Sequence, residues 1–238
     1  MLLYLKEVIG LYIIVPLVFL SGLYLSMRLN WLQFFQLKRA WRIVFTHEKT
    51  KSTAHGFSSF AALSAVLGGN LGTGNIAGIA IALATGGPGA LFWMWVMAIL
   101  GAIIKFTGCY LGVKYRVDKG PQGFVGGPMY YLSRGLQFKF LAALYAFCTI
   151  FAALTVGNMA QVNSIILPVE SFGISRFMAG LLMALFVAWV MVGGLKAFSK
   201  MATKVVPVMA LTYVSLGIFI LCRFSHEIMP AMSLIFEA

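Results

Sequence analysis

The sequence predicts an all-α membrane protein of six transmembrane helices, the second of them broken at 68–75. Three observations carry that expectation. Of the 238 residues, 61% are hydrophobic and only 10% charged, with a mean hydropathy of +0.93, whereas soluble domains carry about 25% charged residues. Apolar runs recur near the length of about 20 residues that a helix needs to cross a bilayer. The cations gather between those runs. Unbroken apolar runs argue for helices over a barrel, whose strands are about half as long and alternate in polarity.

The first run, 8–27, follows Lys6 and Glu7, too weak a charged start for a signal peptide, and no A-x-A cleavage pattern follows it, so a membrane helix is expected. The second, 57–84, reads FSSFAALSAVL, then GGNLGTGN, then IAGIAIALAT. At about 1.5 Å per residue each flank reaches half-way through a bilayer, and together they cross once. The third, 88–113, follows a GGPG turn and carries Phe92, Trp93 and Trp95 near its start, a pattern suited to an interfacial aromatic anchor. It also holds Lys105, a lone intramembrane cation expected to snorkel toward the end that carries Lys114 and Arg116. The fourth, fifth and sixth runs are 138–160, 174–194 and 203–222.

Orientation follows from the cations. Arg28, Lys38, Arg39, Arg42, Lys49 and Lys51 lie between runs one and two, Lys114, Arg116, Lys119, Arg134 and Lys139 between three and four, and Lys196, Lys200 and Lys204 between five and six. If six runs alternate, these fall on one side, which the positive-inside rule makes cytoplasmic, leaving both termini outside. The net charge of +12 is thus a topology signal, with attraction to anionic lipid as a secondary consequence, and no nucleic acid is implied.

The break at GGNLGTGN carries the functional signal. Glycine costs about 1 kcal/mol in a helix interior, and asparagine and threonine are poor helix formers too. Unwound backbone at membrane depth is tolerated only where protein covers it or it lines a cavity, and a discontinuous helix points to a transporter binding site. The half-helix starting near Gly74 and Asn75 presents N–H groups to a carboxylate, while the one ending near Leu67 and Gly68 presents carbonyls to a small cation. Close packing is an equal alternative, since Gly68 with Gly72 and Gly74 with Gly78 are small-xxx-small pairs. GTGNIA matches a dinucleotide fingerprint but follows no strand.

GGPGALFWMWVMAILG at 86–101 resembles the signature of the sodium:alanine symporters, the alanine or glycine:cation symporter family. GFSSFAALS, GTGNIAG, GGPMYYLSRGL at 126–136, GNMAQVNS at 157–164 and GGLKAFSKMATKVVPVMAL at 193–211 agree in order, so the resemblance covers nearly the whole chain. It implies a leucine-transporter-type fold of two inverted five-helix repeats, with 1–30 an extra N-terminal helix, 57–222 the first repeat and the second repeat absent. It implies uptake of alanine or glycine across the cell membrane, coupled to sodium or protons, with no cofactor beyond the coupling ion.

The resemblance places substrate contacts at Thr73, Gly74 and Asn75 in the unwound motif and at Gln161 in the fourth run, with Asn158 and then Asn163 as weaker candidates. It places cation contacts at the Gly68 and Leu71 carbonyls and the Asn75 side chain. Asn158 and Asn163 are equally open to a reading as interhelical hydrogen bonds, worth on the order of 1 kcal/mol, while for Gln161 the substrate contact is the favoured reading. Where the family carries a glutamate three residues past the lysine, KFTG places Gly108.

Other chemistries find no support. Cys109, Cys148 and Cys222 form no CxxC motif and are expected to be buried apolar thiols, and His47, His55 and His226 fall in loops or near the end. The acids Glu7, Glu48, Asp118, Glu170, Glu227 and Glu237 make no catalytic pair, so an enzyme is not expected. Family members are roughly twice this length. Three readings follow: one half of a split symporter whose other half is a separate chain, a truncated or accessory protein without transport, or an antiparallel homodimer, which the one-sided cations disfavour.

Overall fold

A computed structural model describes residues 8–45, 59–72, 74–120 and 124–237. In chain order the elements are α1 (Ile9–Arg28), α2 (Leu32–Phe35), α3 (Leu37–Phe45), α4 (Ser59–Asn70), α5 (Gly74–Gly86) and α6 (Gly89–Lys114). A short hairpin of β1 (Val117–Asp118) and β2 (Phe124–Val125) follows, then α7 (Pro128–Tyr130) running into a π turn, Tyr131–Gly135. The chain continues through α8 (Lys139–Ser171), α9 (Arg176–Val192), α10 (Gly194–Arg223) and α11 (Ile228–Glu237).

Among the described residues, five helical stretches are long and apolar enough to cross a membrane: Ile9–Arg28, Ala62–Gly86 across the break, Gly89–Lys114, Lys139–Ser171 and Lys200–Arg223. The protein is therefore a multi-pass membrane protein. The fifth expected run differs: 174–194 becomes α9, a shorter apolar helix of 17 residues. Ser175 sets its start by accepting a hydrogen bond from the Met178 N–H at 3.3 Å, a side-chain cap. Gly194, at φ +65°, sets its end by a left-handed turn that glycine adopts without steric cost. Two other boundaries shift outward. The fourth helix runs past 160 to Ser171, and the sixth begins at Gly194, before 203.

The contacts divide the chain into two compact units. One comprises Met1–Thr46 and Pro88–Ala146. Its centre is the seam of α1 on α6, where Ser26 and Ile103 are fully buried and Leu100 nearly so. A methyl group on Gly22 would stand 2.7 Å from the Leu100 Cβ. Gly22 and Ser26, four residues apart, thus form the small-residue face that lets two apolar helices approach. The hairpin pairs Val117 with Val125, and the Arg116 guanidinium lies 4.4 Å from the centre of the Phe124 ring, a cation–π contact.

The second unit comprises His47–Gly87 and Phe147–Ala238. Here α4 packs on α10, with Ser64, Ala202 and Val206 buried. A methyl group on Gly68 would lie 2.9 Å from Val206 Cγ2. Ser64 and Gly68, four residues apart, align small residues on one face of α4.

That packing corrects the extent of the break. The half-helix before the break is expected to end near Leu67 and Gly68, but α4 stays helical through Asn70 and α5 begins at Gly74, so that Leu71 and Gly72 are the described residues outside regular helix. Glycine's propensity cost of about 1 kcal/mol is a weak term. Packing of α4 on α10, where Ser64 and Val206 are buried, outweighs it.

The cysteines also depart from expectation. Cys109, Cys148 and Cys222 are free and exposed. They stand on spanning helices whose exposed side chains are largely apolar, as with Leu17, Phe147 and Phe219. An exposed apolar side chain on a spanning helix faces lipid tails or a neighbouring helix, not the core of this chain.

Candidate functional site

Two irregularities of the backbone meet in the second unit. The first is the interruption between α4 and α5. The Leu71 N–H still donates to the Leu67 carbonyl at 2.7 Å, closing the last α-helical turn. The Gly72 N–H then turns to the Asn70 carbonyl at 3.1 Å, and the Asn75 N–H to the Gly72 carbonyl at 3.0 Å. Each of these bonds is shorter-range than the i−4 bond of a continuous helix. Consequently neither the Gly68 nor the Leu71 carbonyl receives a backbone N–H from any described residue.

Asn75 ties the break together. Its side-chain Nδ2 donates to the Asn70 carbonyl at 2.6 Å, bridging the end of α4 and the start of α5. Its backbone N–H is also committed within the break. Gly74, the first residue of α5, stands at the end where N–H groups lack intrahelical partners, and a methyl group there would meet nothing within 4 Å. Thr73, the remaining expected substrate contact in the motif, lies outside the described residues, as do His47 and His55.

The second irregularity is in α8, where Ala153–Met159 winds as a π-helix. Such segments are rare and recur at functional sites. Sequence reasoning missed it; the signal present was GN at 157–158, two weak helix formers inside an apolar run. The α-helical winding resumes at Ala160 and places Gln161 against the break. A methyl group on Gly72 would lie 2.7 Å from Gln161 Nε2 and 3.0 Å from its Oε1. Both residues are half-buried. Gly72 thus leaves the room in which the Gln161 amide rests on the broken backbone.

The other expected residues stand apart from this arrangement. Asn158 sits within the π segment and Asn163 farther along α8; both are exposed, and among the described residues neither makes a hydrogen bond to the break. Lys105 is exposed on α6 in the first unit, and a methyl group on Gly108 would meet nothing within 4 Å. Phe92 and Trp93 form an edge-to-face pair with centroids 5.6 Å apart and are exposed, as Trp95 is, which suits an interfacial anchor. His226 lies 3.3 Å from Glu227, and both are exposed. Among the described residues no group of His, Cys, Asp and Glu could hold a metal ion.

A competing cavity lies elsewhere in the second unit. A groove of about 650 Å³ between α9 and α10 is lined by Trp189, Val190, Met201 and Val205 with Lys200 and Lys204 at hand. Among the described residues its lining has no carboxylate or amide side chain to receive an ammonium group. The break, by contrast, brings together groups of both signs: carbonyls released at the end of α4, N–H groups at the start of α5, and the Gln161 amide beside Gly72.

Comparison with known proteins places the chain among transporters by sequence. The description "Sodium:alanine symporter family" matches residues 1–238. A sodium/alanine symporter of Methanococcus maripaludis is 39% identical over 223 residues, 92% of this chain and 49% of its own. A putative sodium/proton-dependent alanine carrier of Bacillus subtilis is 39% identical over 207 residues, 87% of this chain and 43% of its own. A probable sodium/glutamine symporter of the same organism is 36% identical over 210 residues, 88% of this chain and 44% of its own. The chain spans about half the length of the curated relatives it matches. It belongs to the sodium:alanine symporter family.

Proposed function

We propose that this member of the sodium:alanine symporter family takes part in cation-coupled uptake of a small neutral amino acid, alanine or glycine, across the cell membrane. The observation that carries the reading is the break between Asn70 and Gly74, where two backbone carbonyls leave the helical ladder and Gln161 rests on Gly72. The Gly68 and Leu71 carbonyls, with the Asn75 side-chain oxygen, are proposed to hold sodium; a proton-coupled variant would dispense with that ligation. The Gly74 N–H end of α5, the Thr73 hydroxyl and the Gln161 amide are proposed to receive the substrate, its carboxylate at the helix start. Asn75 then has a structural share as well, since its N–H and Nδ2 hold the break closed.

In this reading 57–222 forms the first inverted repeat of a leucine-transporter-type fold behind an extra helix, with both termini outside. Such transporters bind at the interface of two repeats and work by moving one against the other. The chain corresponds to about half of its relatives, so the opposite wall of the site has to come from complementary helices, whatever polypeptide carries them. The experiment is labelled-alanine uptake under a sodium gradient, with this chain alone and with the C-terminal half of a relative co-reconstituted. Uptake only in the pair is expected. Robust uptake by the chain alone would overturn the need for a second wall, and none in either would overturn the transport assignment.

A further inference from the structure

Immediately after α1 the chain turns off the axis of the spanning helix by a specified geometry. Asn30 and Trp31 take left-handed conformations in succession, at φ 50° and 52°. The Trp31 N–H donates to the Ser26 carbonyl at 2.8 Å and the Asn30 N–H to the Met27 carbonyl at 3.3 Å, the paired bonds that end a helix in a Schellman turn. The Gln33 Nε2 donates to the Ser26 Oγ at 2.9 Å and secures the next residues. The chain leaving this turn forms α2 and α3, joined through Gln36, whose carbonyl accepts the Ala40 N–H at 2.9 Å.

At about 100° per residue the sequence of α3 separates into two arcs. Lys38, Arg39 and Arg42 occupy one arc, and Leu37, Ala40, Trp41, Ile43 and Val44 the other. The apolar arc is largely exposed: Leu37 is 57%, Trp41 59% and Ile43 55% exposed. A helix of nine residues is well below the length at which helices persist in water, about 12–15 residues. Its stability therefore depends on a surface that takes an apolar stripe and three cations together, at the end of a membrane span. A lipid interface with anionic head groups has that chemistry: tryptophan and aliphatic side chains enter the acyl boundary, and lysine and arginine meet phosphates.

We propose that α3 is an interfacial anchor that binds anionic phospholipid, with Leu37, Ala40, Trp41 and Val44 in the acyl boundary and Lys38, Arg39 and Arg42 on lipid phosphates. The anchor rests on the membrane location of the chain and not on the transported substrate, so failure of every uptake assay leaves it standing. It also gives the Schellman turn a purpose. By ending α1 at a defined residue, the turn sets the depth at which α3 meets the interface.

The test is a single-cysteine scan of positions 37–44 in the full chain, with Cys109, Cys148 and Cys222 replaced by alanine and each new thiol spin-labelled. The protein is reconstituted in phosphatidylethanolamine–phosphatidylglycerol vesicles and, separately, in phosphatidylcholine. Accessibility to oxygen is compared with accessibility to a water-soluble nickel complex. In anionic vesicles the oxygen-to-nickel ratio is expected to be several-fold higher at Leu37→Cys, Ala40→Cys, Trp41→Cys and Val44→Cys than at Lys38→Cys, Arg39→Cys and Arg42→Cys. Reversing all three cations to glutamate in the Ala40→Cys background is expected to lower that ratio in anionic vesicles and leave it unchanged in phosphatidylcholine. Uniform access to the nickel complex would overturn the proposal. So would exclusion of both reagents from the apolar arc, which would mean that a second copy or another chain covers it, and so would equal loss in both lipids on charge reversal.

Discussion

The Gln161 amide occupies the space beside Gly72 that a side chain there would need, with its Nε2 2.7 Å from the position of a Cβ. A helix break and a glutamine from another helix are thereby held as one feature. The absence of a side chain at Gly72 is what permits it.

Gly72→Ala is expected to displace the Gln161 side chain and weaken substrate-dependent stabilisation more than stability itself, because a flexible amide can swing away. Thermal unfolding with and without alanine, in the pair with complementary helices, checks this. Adding Gln161→Ala should restore the unliganded midpoint and leave the alanine-dependent shift lost. Full restoration of both would mean that Gln161 serves packing alone.

Gly22→Ala is expected to cost more stability than Gly72→Ala. Its methyl group would meet the Leu100 Cβ at 2.7 Å and the Leu100 carbonyl oxygen at 3.1 Å. Neither atom can rotate away, so α1 and α6 must separate. Overpacking of this kind costs about 1–3 kcal/mol. Denaturant titration in detergent measures it.

Gly68→Ala separates packing from cation ligation. Its methyl group would meet Val206 Cγ2 at 2.9 Å, so stability should fall and recover with Val206→Ala. The carbonyl of residue 68 is present in both variants. Sodium dependence of alanine-driven stabilisation should therefore return with the packing; if stability returns and sodium dependence does not, the Gly68 carbonyl needs the glycine backbone for another reason.

Asn75→Asp exchanges the donor that bridges to the Asn70 carbonyl for a carboxylate with none. A lost hydrogen bond costs about 0.5–1.5 kcal/mol, and repulsion between carboxylate and carbonyl adds to it. Asn75→Asp should therefore be less stable than Asn75→Ala in sodium-free buffer. Sodium should narrow that gap if it sits at the break.

Tyr131, between α6 and α8 and outside the spanning segments, has its pKa raised above the usual value by burial and secondarily by Tyr145. The folded state thus holds this proton more tightly than the unfolded one. The stability it supports is complete below the ordinary tyrosine pKa of about 10 and falls as pH rises above it. Tyr131→Phe should flatten the alkaline limb of a stability-versus-pH profile.

Hydropathy is a one-dimensional property, and so the membrane class, the order of spans and the place of the break were legible from residues alone. Gly72, Thr73 and Gly74 mark a weak helix wherever they occur. The family strings, from GGPGALFWMWVMAILG onward, were equally legible. The helical state of Gly68–Asn70 was not, because it is set by α10 lying against α4, with Val206 facing Gly68. The exposure of Cys109, Cys148 and Cys222 was not legible either, since apolar character in a membrane chain does not distinguish a core from a lipid face. Nor was the amphipathic arc of α3, whose cations served as topology markers until the Schellman turn at Asn30 and Trp31 set it apart from the span.

The sequence by itself determined that this chain crosses a membrane repeatedly and weakens one crossing near its middle, because both follow from side-chain transfer energies and backbone propensities summed along the chain. Only the tertiary structure decided how narrow that weakness is and what rests on it. Packing of Gly68 on Val206 and of Gln161 on Gly72 joins residues far apart in sequence, and such contacts depend on shape complementarity between helices, which no local pattern records.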